Sequence, residues 1–287
     1  MSYVVSAWIA SIMYAVGAVI AKLSANHHIK NPWLYNFMWG IVATLILVPI
    51  GLFNGMGFPQ DWQSMTILAL ANVISGTAYV FAMYELDVSV IGPFANLRTP
   101  FAVFVGVFFF REILTPVEWG LIFVIIAGGM LVNVEEKLHV KTFLNKRVAL
   151  ALLWVATSVW FTAYVKVASE RNGYWEVLVW PNILGILMLV PTLPLFIRDL
   201  TKTKVSRYSG VMTMTALFLV GWAFEVLALR QNISITTTII SLPLSMILAI
   251  AFSIFAPKLL EKHTAKVYAI RIAAAAVMVL AALGLSG

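Results

Sequence analysis

Residues 88–110 read VSVIGPFANLRTPFAVFVGVFFF. This run carries a single charge, Arg98, bracketed by Pro93 and Pro100. About 20 apolar residues, each rising 1.5 Å in a helix, cross a hydrocarbon core of roughly 30 Å. The stretch is long enough to span a bilayer and too apolar to belong on the surface of a soluble domain. Its centre is nevertheless polar, with Asn96, Arg98 and Thr99 in succession.

Nine further stretches of spanning length flank it, at about 3–24, 32–53, 63–85, 116–134, 147–168, 175–197, 208–230, 233–256 and 264–285. The expected fold class is therefore all-α integral membrane, with ten transmembrane helices. Composition agrees. The chain is 62% hydrophobic and 11% charged, against about 25% charged in soluble domains. No cleavable signal peptide is expected, because the first apolar run has spanning length and lacks a basic leader. The net charge of +7 sits between apolar segments, so lipid headgroups and cytosol are its partners and nucleic acid is not.

The chemistry of cofactor sites is missing from the sequence. Cysteine is absent, and the four histidines (His27, His28, His139 and His263) fall in loops or at helix ends. No metal-ligand pair at helical spacing and no nucleotide-binding motif occurs, so no cofactor is expected. An intramembrane lipid-modifying enzyme would need a reactive cluster, and the apolar segments hold one clearly embedded carboxylate, Glu225. A non-transporting membrane scaffold or sensor is the other alternative to a carrier. The lack of any appended soluble domain argues against signalling.

The two halves run in parallel. Lys22 and Lys166, Gly76 and Gly221, Pro93 and Pro243, and Glu112 and Glu261 fall in the same order, 144 to 150 residues apart. Five spans is an odd number, so a second copy must enter the membrane upside down, as in many secondary transporters. The expected organisation is a first repeat over 1–136, an inter-repeat loop over 137–146 and a second repeat over 147–287.

At Ile91–Gly92–Pro93, Leu97–Arg98–Thr99–Pro100–Phe101, Phe110–Arg111–Glu112, Gly120 and Gly128–Gly129, the first half resembles the drug/metabolite transporter superfamily, specifically its EamA-type repeats. Tyr14 to Lys22 resembles the aromatic-to-lysine segment of that family's first helix. Pro243, Glu261 and Arg271–Leu283 match more loosely, and Ala275 and Ala276 stand where the first half has paired glycines. The resemblance implies ten helices around a central cavity lined mainly by helices one, three, four, six, eight and nine. It also implies transport of small metabolites, amino acids or amphiphilic drugs across the cell membrane.

Orientation is read in two ways. Loops after odd-numbered helices and the adjacent helix ends hold thirteen Lys and Arg, against four on the other side. The positive-inside rule then places both termini outside. The family resemblance implies both termini inside.

Ionisable residues inside spans cost roughly 2.5–3.5 kcal/mol to insert and usually face a cavity or a partner. Arg98 is the candidate to hold a substrate carboxylate or other anionic group, with Asn96 and Thr99 beside it; a buried pair with Glu225 is the structural alternative. Glu225 is a candidate for proton coupling or for a helix-end pair. Tyr14, Tyr79, Trp160, Tyr164 and Ser241 complete the candidate substrate-binding set. Trp160 and Tyr164 share one helix face and either stack on a flat substrate or pack between helices. Pro93, Pro100, Pro181 and Pro243 each remove a backbone donor and are expected to kink their helices for gating. Lys22, Lys166 and Arg271 are expected to snorkel toward the headgroups, and Glu85 and Asp87 to face water. Gly120, Gly128, Gly129 and Ala273–Ala276 are expected to let helices five and ten approach closely, as scaffold or as a homodimer contact.

Overall fold

The computed structural model describes residues 2–86, 94–132, 146–255 and 265–285. Pro93, Asp87, Glu261 and nearly all of the 137–146 loop lie outside the described residues. The helices are α1 (Tyr3–His27), α2 (Pro32–Phe53), α3 (Trp62–Glu85), α4 (Arg98–Phe110), α5 (Pro116–Val132), α6 (Lys146–Arg171) and α7 (Tyr174–Leu189). They continue with the short α8 (Ile197–Lys202), then α9 (Ser209–Leu229), α10 (Ile233–Ile240), α11 (Leu244–Phe255) and α12 (Ala265–Gly284). Among the described residues there is no strand. Seven helical runs are long and apolar enough to cross a membrane, and three shorter apolar helices accompany them at Arg98–Phe110, Pro116–Gly129 and Ala269–Gly284.

Helix starts are written locally. Asn31 caps α2 by accepting from the Trp33 and Leu34 amides, with Pro32 at the first helical position, where its missing N–H costs nothing. Asp61 caps α3 through Gln63 and Ser64. Thr115 and Glu118 exchange hydrogen bonds at the head of α5, a reciprocal capping box.

Packing pairs helices from opposite halves. α1 lies along α9, α3 along α6, α5 along α12, α4 along α10, and α7 against α2 and α3. Small residues set the approach. A side chain at Gly221 would meet the Tyr14 ring at 2.8 Å, and one at Gly17 would collide with Phe218, so α1 and α9 nest aromatic rings over glycines. Gly128 faces Met278 between α5 and α12 in the same way. Among the described residues nothing lies within 4 Å of where a Gly120 side chain would be, so within the chain this glycine does not serve close packing.

The fourth and ninth apolar stretches are broken. Residues 94–95 and 98–110 are helical, with a turn at Asn96–Leu97 between them. Pro100 therefore falls in the first turn of α4, where its missing donor is not needed; it starts that helix and does not kink it. Pro243 stands between α10 and α11. Its absent N–H cannot serve the Ile239 carbonyl, and the Ser11 hydroxyl of α1 donates to that oxygen at 3.0 Å. The Leu242 amide reaches the same oxygen at 3.3 Å, so the loss is made good jointly by the local turn and a neighbouring helix. Pro181 is buried within α7, whose helix runs on unbroken to Leu189.

Candidate functional site

A cavity of about 250 Å³ lies among α1, α2, α3, α6, α7 and α9, and reaches the two helix breaks. Its walls include Ser11 and Tyr14 of α1, Trp39 of α2, Tyr79 of α3, Arg98 of α4, Trp154 and Phe161 of α6, and Phe218, Trp222 and Glu225 of α9. Ile240, Leu242 and Ser245 close it beside Pro243. The second and seventh apolar helices contribute as well as the six the family resemblance implied, through Asn36, Gly40, Asn182 and Ile186. Asparagines on those helices were the signal sequence reading passed over.

The charged centre is built from three helices. The break at Asn96–Leu97 puts Arg98 at the first turn of α4, where its guanidinium enters the cavity wall. Its Nη2 stands 3.9 Å from Glu225 Oε1 on α9 and 3.4 Å from the Thr162 hydroxyl on α6. The Tyr14 hydroxyl donates to Glu225 Oε2 at 2.5 Å. Both ionic side chains are nearly buried, at 11% and 6% exposure. The pair is loose: 3.9 Å is beyond hydrogen-bond length, and among the described residues Arg98 Nε has no hydrogen-bond partner. A guanidinium offers five donors, so this one retains capacity for an incoming anion.

Aromatic rings line much of the rest of the cavity. Phe218 meets Tyr14 edge-on at 5.2 Å between centroids and Trp39 at 5.6 Å, and Tyr79 packs on Trp154 at 5.3 Å. These spacings suit edge-to-face aromatic contacts.

Of the expected substrate-binding residues, Arg98, Glu225, Tyr14 and Tyr79 come together on this cavity. The others are placed elsewhere. Asn96 is buried against Gly129 of α5, and Thr99 and Ser241 are fully buried in helix packing. Trp160 is 56% exposed on the outer surface of α6, with Tyr164 stacked on it at 5.1 Å. Their shared face turns away from the cavity because Trp154, Ser158 and Phe161 occupy the inward one. Lys22 does not snorkel: it is buried, and its ammonium donates to the Met83 and Leu86 carbonyls at 2.8 and 2.7 Å, groups left over at the end of α3. Arg271 is also buried, at 2% exposure. Glu85 faces outward as expected.

One end of the helical body is tied by a polar latch. Glu112 receives the Ile233 and Ser234 amides at 2.6 and 2.9 Å, the Ser234 hydroxyl at 2.6 Å and Lys166 Nζ at 3.1 Å. A carboxylate suits the first amides of α10, where the helix dipole is positive. The chain turns back to place it. Arg111 adopts a left-handed conformation with φ of 54°, and the Glu112 amide returns to the Gly106 carbonyl. Gly106 has no side chain to collide with Glu112 and Ser234, which both crowd its α-carbon. Lys166 also lies 5.1 Å over the Phe110 ring. Lys166 is thus a latch partner and does not snorkel.

At the same end Arg171 meets Asp61 at 2.7 Å, and Asn172 accepts from the Asp61 amide. The Arg171 guanidinium and the Ser64 amide hold the Asp61 carboxyl below its ordinary value. A depressed value means a contribution present above the ordinary carboxylate range and lost as pH falls through the depressed one. The melting temperature of wild type is expected to exceed that of Asp61→Ala at pH 7. The gap narrows on acidification below pH about 4, read by differential scanning fluorimetry; a gap that widens there contradicts this assignment.

These features define a polytopic helical membrane protein with a charged, aromatic-walled internal cavity. Residues 1–134 match the EamA-like transporter family, a family of the drug/metabolite transporter superfamily. No curated protein matches the chain. Among solved structures 28 chains match. One, described only as a crystal structure of a protein, superimposes with a TM-score of 0.68 at 13% identity, covering 99% of each chain, and shows a shared fold.

Proposed function

We propose that the chain is a secondary transporter that moves a small metabolite, amino acid or amphiphilic compound across the cytoplasmic membrane by alternating access. The observation that carries this is the buried Arg98–Glu225 centre, set in a cavity at two broken helices. Discontinuous helices at mid-membrane are where transporters bind their cargo, and the loosely held guanidinium takes the anionic group of the substrate.

Ten crossings in two inverted five-helix repeats are part of the same proposal. Exchanging the halves maps α1 onto α6, α3 onto α9, and α4 onto α10 with α11. The α1–α9 pairing then becomes the α6–α3 pairing, and both are extensive. The α2–α7, α4–α10 and α5–α12 contacts map onto themselves. The breaks at Asn96–Leu97 and at Ser241–Pro243 occupy corresponding helices. In the described conformation the cavity-lining residues run from mid-helix toward the end where α1 and α3 finish, while the Glu112 latch ties the opposite end. A carrier closed at one end and hollow toward the other is one of the two states that rocking of the repeats requires.

The test is counterflow. Purified protein is screened by thermal shift against amino acids, organic acids and cationic drugs. Compounds that stabilise it are then assayed for exchange in proteoliposomes. Exchange of at least one stabilising compound is expected; binding with no exchange of any of them would return the chain to the scaffold or sensor reading.

A further inference from the structure

We infer that the segment joining α7 to α9 is a docking surface for anionic lipid, with Arg198, Lys202, Lys204 and Arg207 taking the phosphates of the adjoining leaflet. This needs only a membrane-spanning body and holds whatever the cavity carries. Residues 174–195 and 205–229 form two of the spanning runs, so residues 196–204 lie where the apolar part of the bilayer ends. From Phe196 to Tyr208 the chain carries those four cations and a single carboxylate, Asp199.

The segment is seated with its other groups turned inward. Phe196 is buried, its ring 5.0 Å from that of Phe37 on α2, and Tyr208 is buried as well. Asn31 Nδ2, at the head of α2, donates to Asp199 Oδ2 at 2.6 Å and to the Leu195 carbonyl at 3.3 Å. The carboxylate is thereby held against the protein by a neutral amide. All four cations are exposed, and among the described residues none of them has an ion-pair partner. Arg198 and Lys202 are four apart on α8 and share a face. Lys30, exposed beside Asn31, brings a fifth cation to the same end.

Charge alone suits several anionic partners, and the apolar side chains of the segment choose among them. Leu195, Ile197 and Val205 are 55%, 48% and 82% exposed. Aliphatic groups interleaved with Lys and Arg at the end of a span fit the boundary between acyl chains and phosphates. The aliphatic groups enter the first and the cations reach the second. A dissolved anion would satisfy the cations and leave Val205 in water. Four or more cations beside a span are the pattern that anionic headgroups attract. The opposite end gives the contrast. Its connections, at 54–61, 111–115, 172–173 and 230–232, hold only Arg111 and Arg230, and Arg171 beside them is taken by Asp61.

The lack of native cysteine allows the lipid around each end to be read separately. A donor dye is placed on Thr201→Cys, at an exposed position of α8. The protein is reconstituted in phosphatidylcholine vesicles with a trace of acceptor, carried on an acyl chain of either phosphatidylglycerol or phosphatidylcholine. Transfer to phosphatidylglycerol is expected to exceed transfer to phosphatidylcholine by about fivefold or more, the factor one cation near an anionic surface supplies. High salt should shrink the difference. Read from Gln60→Cys at the opposite end, the two lipids should transfer alike. Replacing Arg198, Lys202, Lys204 and Arg207 together by Gln should abolish the preference at Thr201→Cys. Unchanged transfer to phosphatidylcholine then shows the segment still in place. If that protein does not reconstitute, the pairs Arg198→Gln/Lys202→Gln and Lys204→Gln/Arg207→Gln are each expected to lose part of the preference. Equal transfer to both lipids at Thr201→Cys overturns the assignment, as does a preference that survives the substitutions or is matched at Gln60→Cys. A preference erased by inorganic phosphate at constant ionic strength also overturns it, because the cations then serve a dissolved anion and not the leaflet.

Discussion

In the Arg98→Gln protein, substrate counterflow is expected to fall by about two orders of magnitude or more. Truncating one partner of a buried, hydrogen-bonded charge pair costs about 2–5 kcal/mol, and each 1.4 kcal/mol is a factor of ten. Part of any loss could be structural, since removal of Arg98 leaves Glu225 buried without its cation, and such orphaned charges destabilise by about 3–5 kcal/mol. The two contributions separate in the Arg98→Gln/Glu225→Gln protein. Two neutral amides of nearly the same size remove the orphaned charge, so the melting temperature should return most of the way to wild type. Transport should not return, because no cation is left for the anionic group. If Arg98→Gln exchanges substrate at the wild-type rate, the guanidinium is a structural strut and the proposed site loses its centre.

The sequence carried the fold further than the site, for a physical reason. Spanning helices must satisfy their own backbone in lipid, so length and apolarity announce them. Seven of the ten stretches read as spans coincide with helical runs long and apolar enough to cross a membrane, and the other three with shorter apolar helices. Arg98 and Glu225 were legible because a charge in an apolar run has few places to go. Trp160 and Tyr164 were not, because an aromatic on a membrane helix is equally comfortable facing lipid or cavity. Their position depends on which arc of α6 the neighbours cover, and helices solvated by lipid show little amphipathic pattern to reveal it. Asn36 and Asn182 went unread because a lone amide in a span usually bonds to another helix. Lys22 and Lys166 were read as snorkelling because both stand near helix ends. The structure instead supplies each with a buried acceptor, the free carbonyls at the end of α3 and the Glu112 carboxylate respectively.

The latch carries the second large effect. With Glu112→Gln, the end of the cavity tied by α10 is expected to open. A carboxylate there serves two backbone amides, a hydroxyl and an ammonium at once. Glutamine keeps one acceptor oxygen, and its amide nitrogen faces donors. Hydrogen bonds to charged groups are worth about 1.5–3 kcal/mol each, so losing a single one shifts the closed-to-open ratio by roughly ten- to a hundredfold. The chain has no cysteine, which makes accessibility directly readable. A cysteine introduced as Ala15→Cys, in the cavity wall, should resist an impermeant maleimide supplied from the Glu112 end and react much faster once Glu112→Gln is added. Lys166→Met should speed labelling less, because the α10 amides and Ser234 still hold the carboxylate. That ranking distinguishes a helix-capping latch from a plain salt bridge, for which either substitution would act alike. Labelling unchanged by Glu112→Gln would mean that the carboxylate only caps α10 and that the closure of this end lies in the packing of α3 against α6.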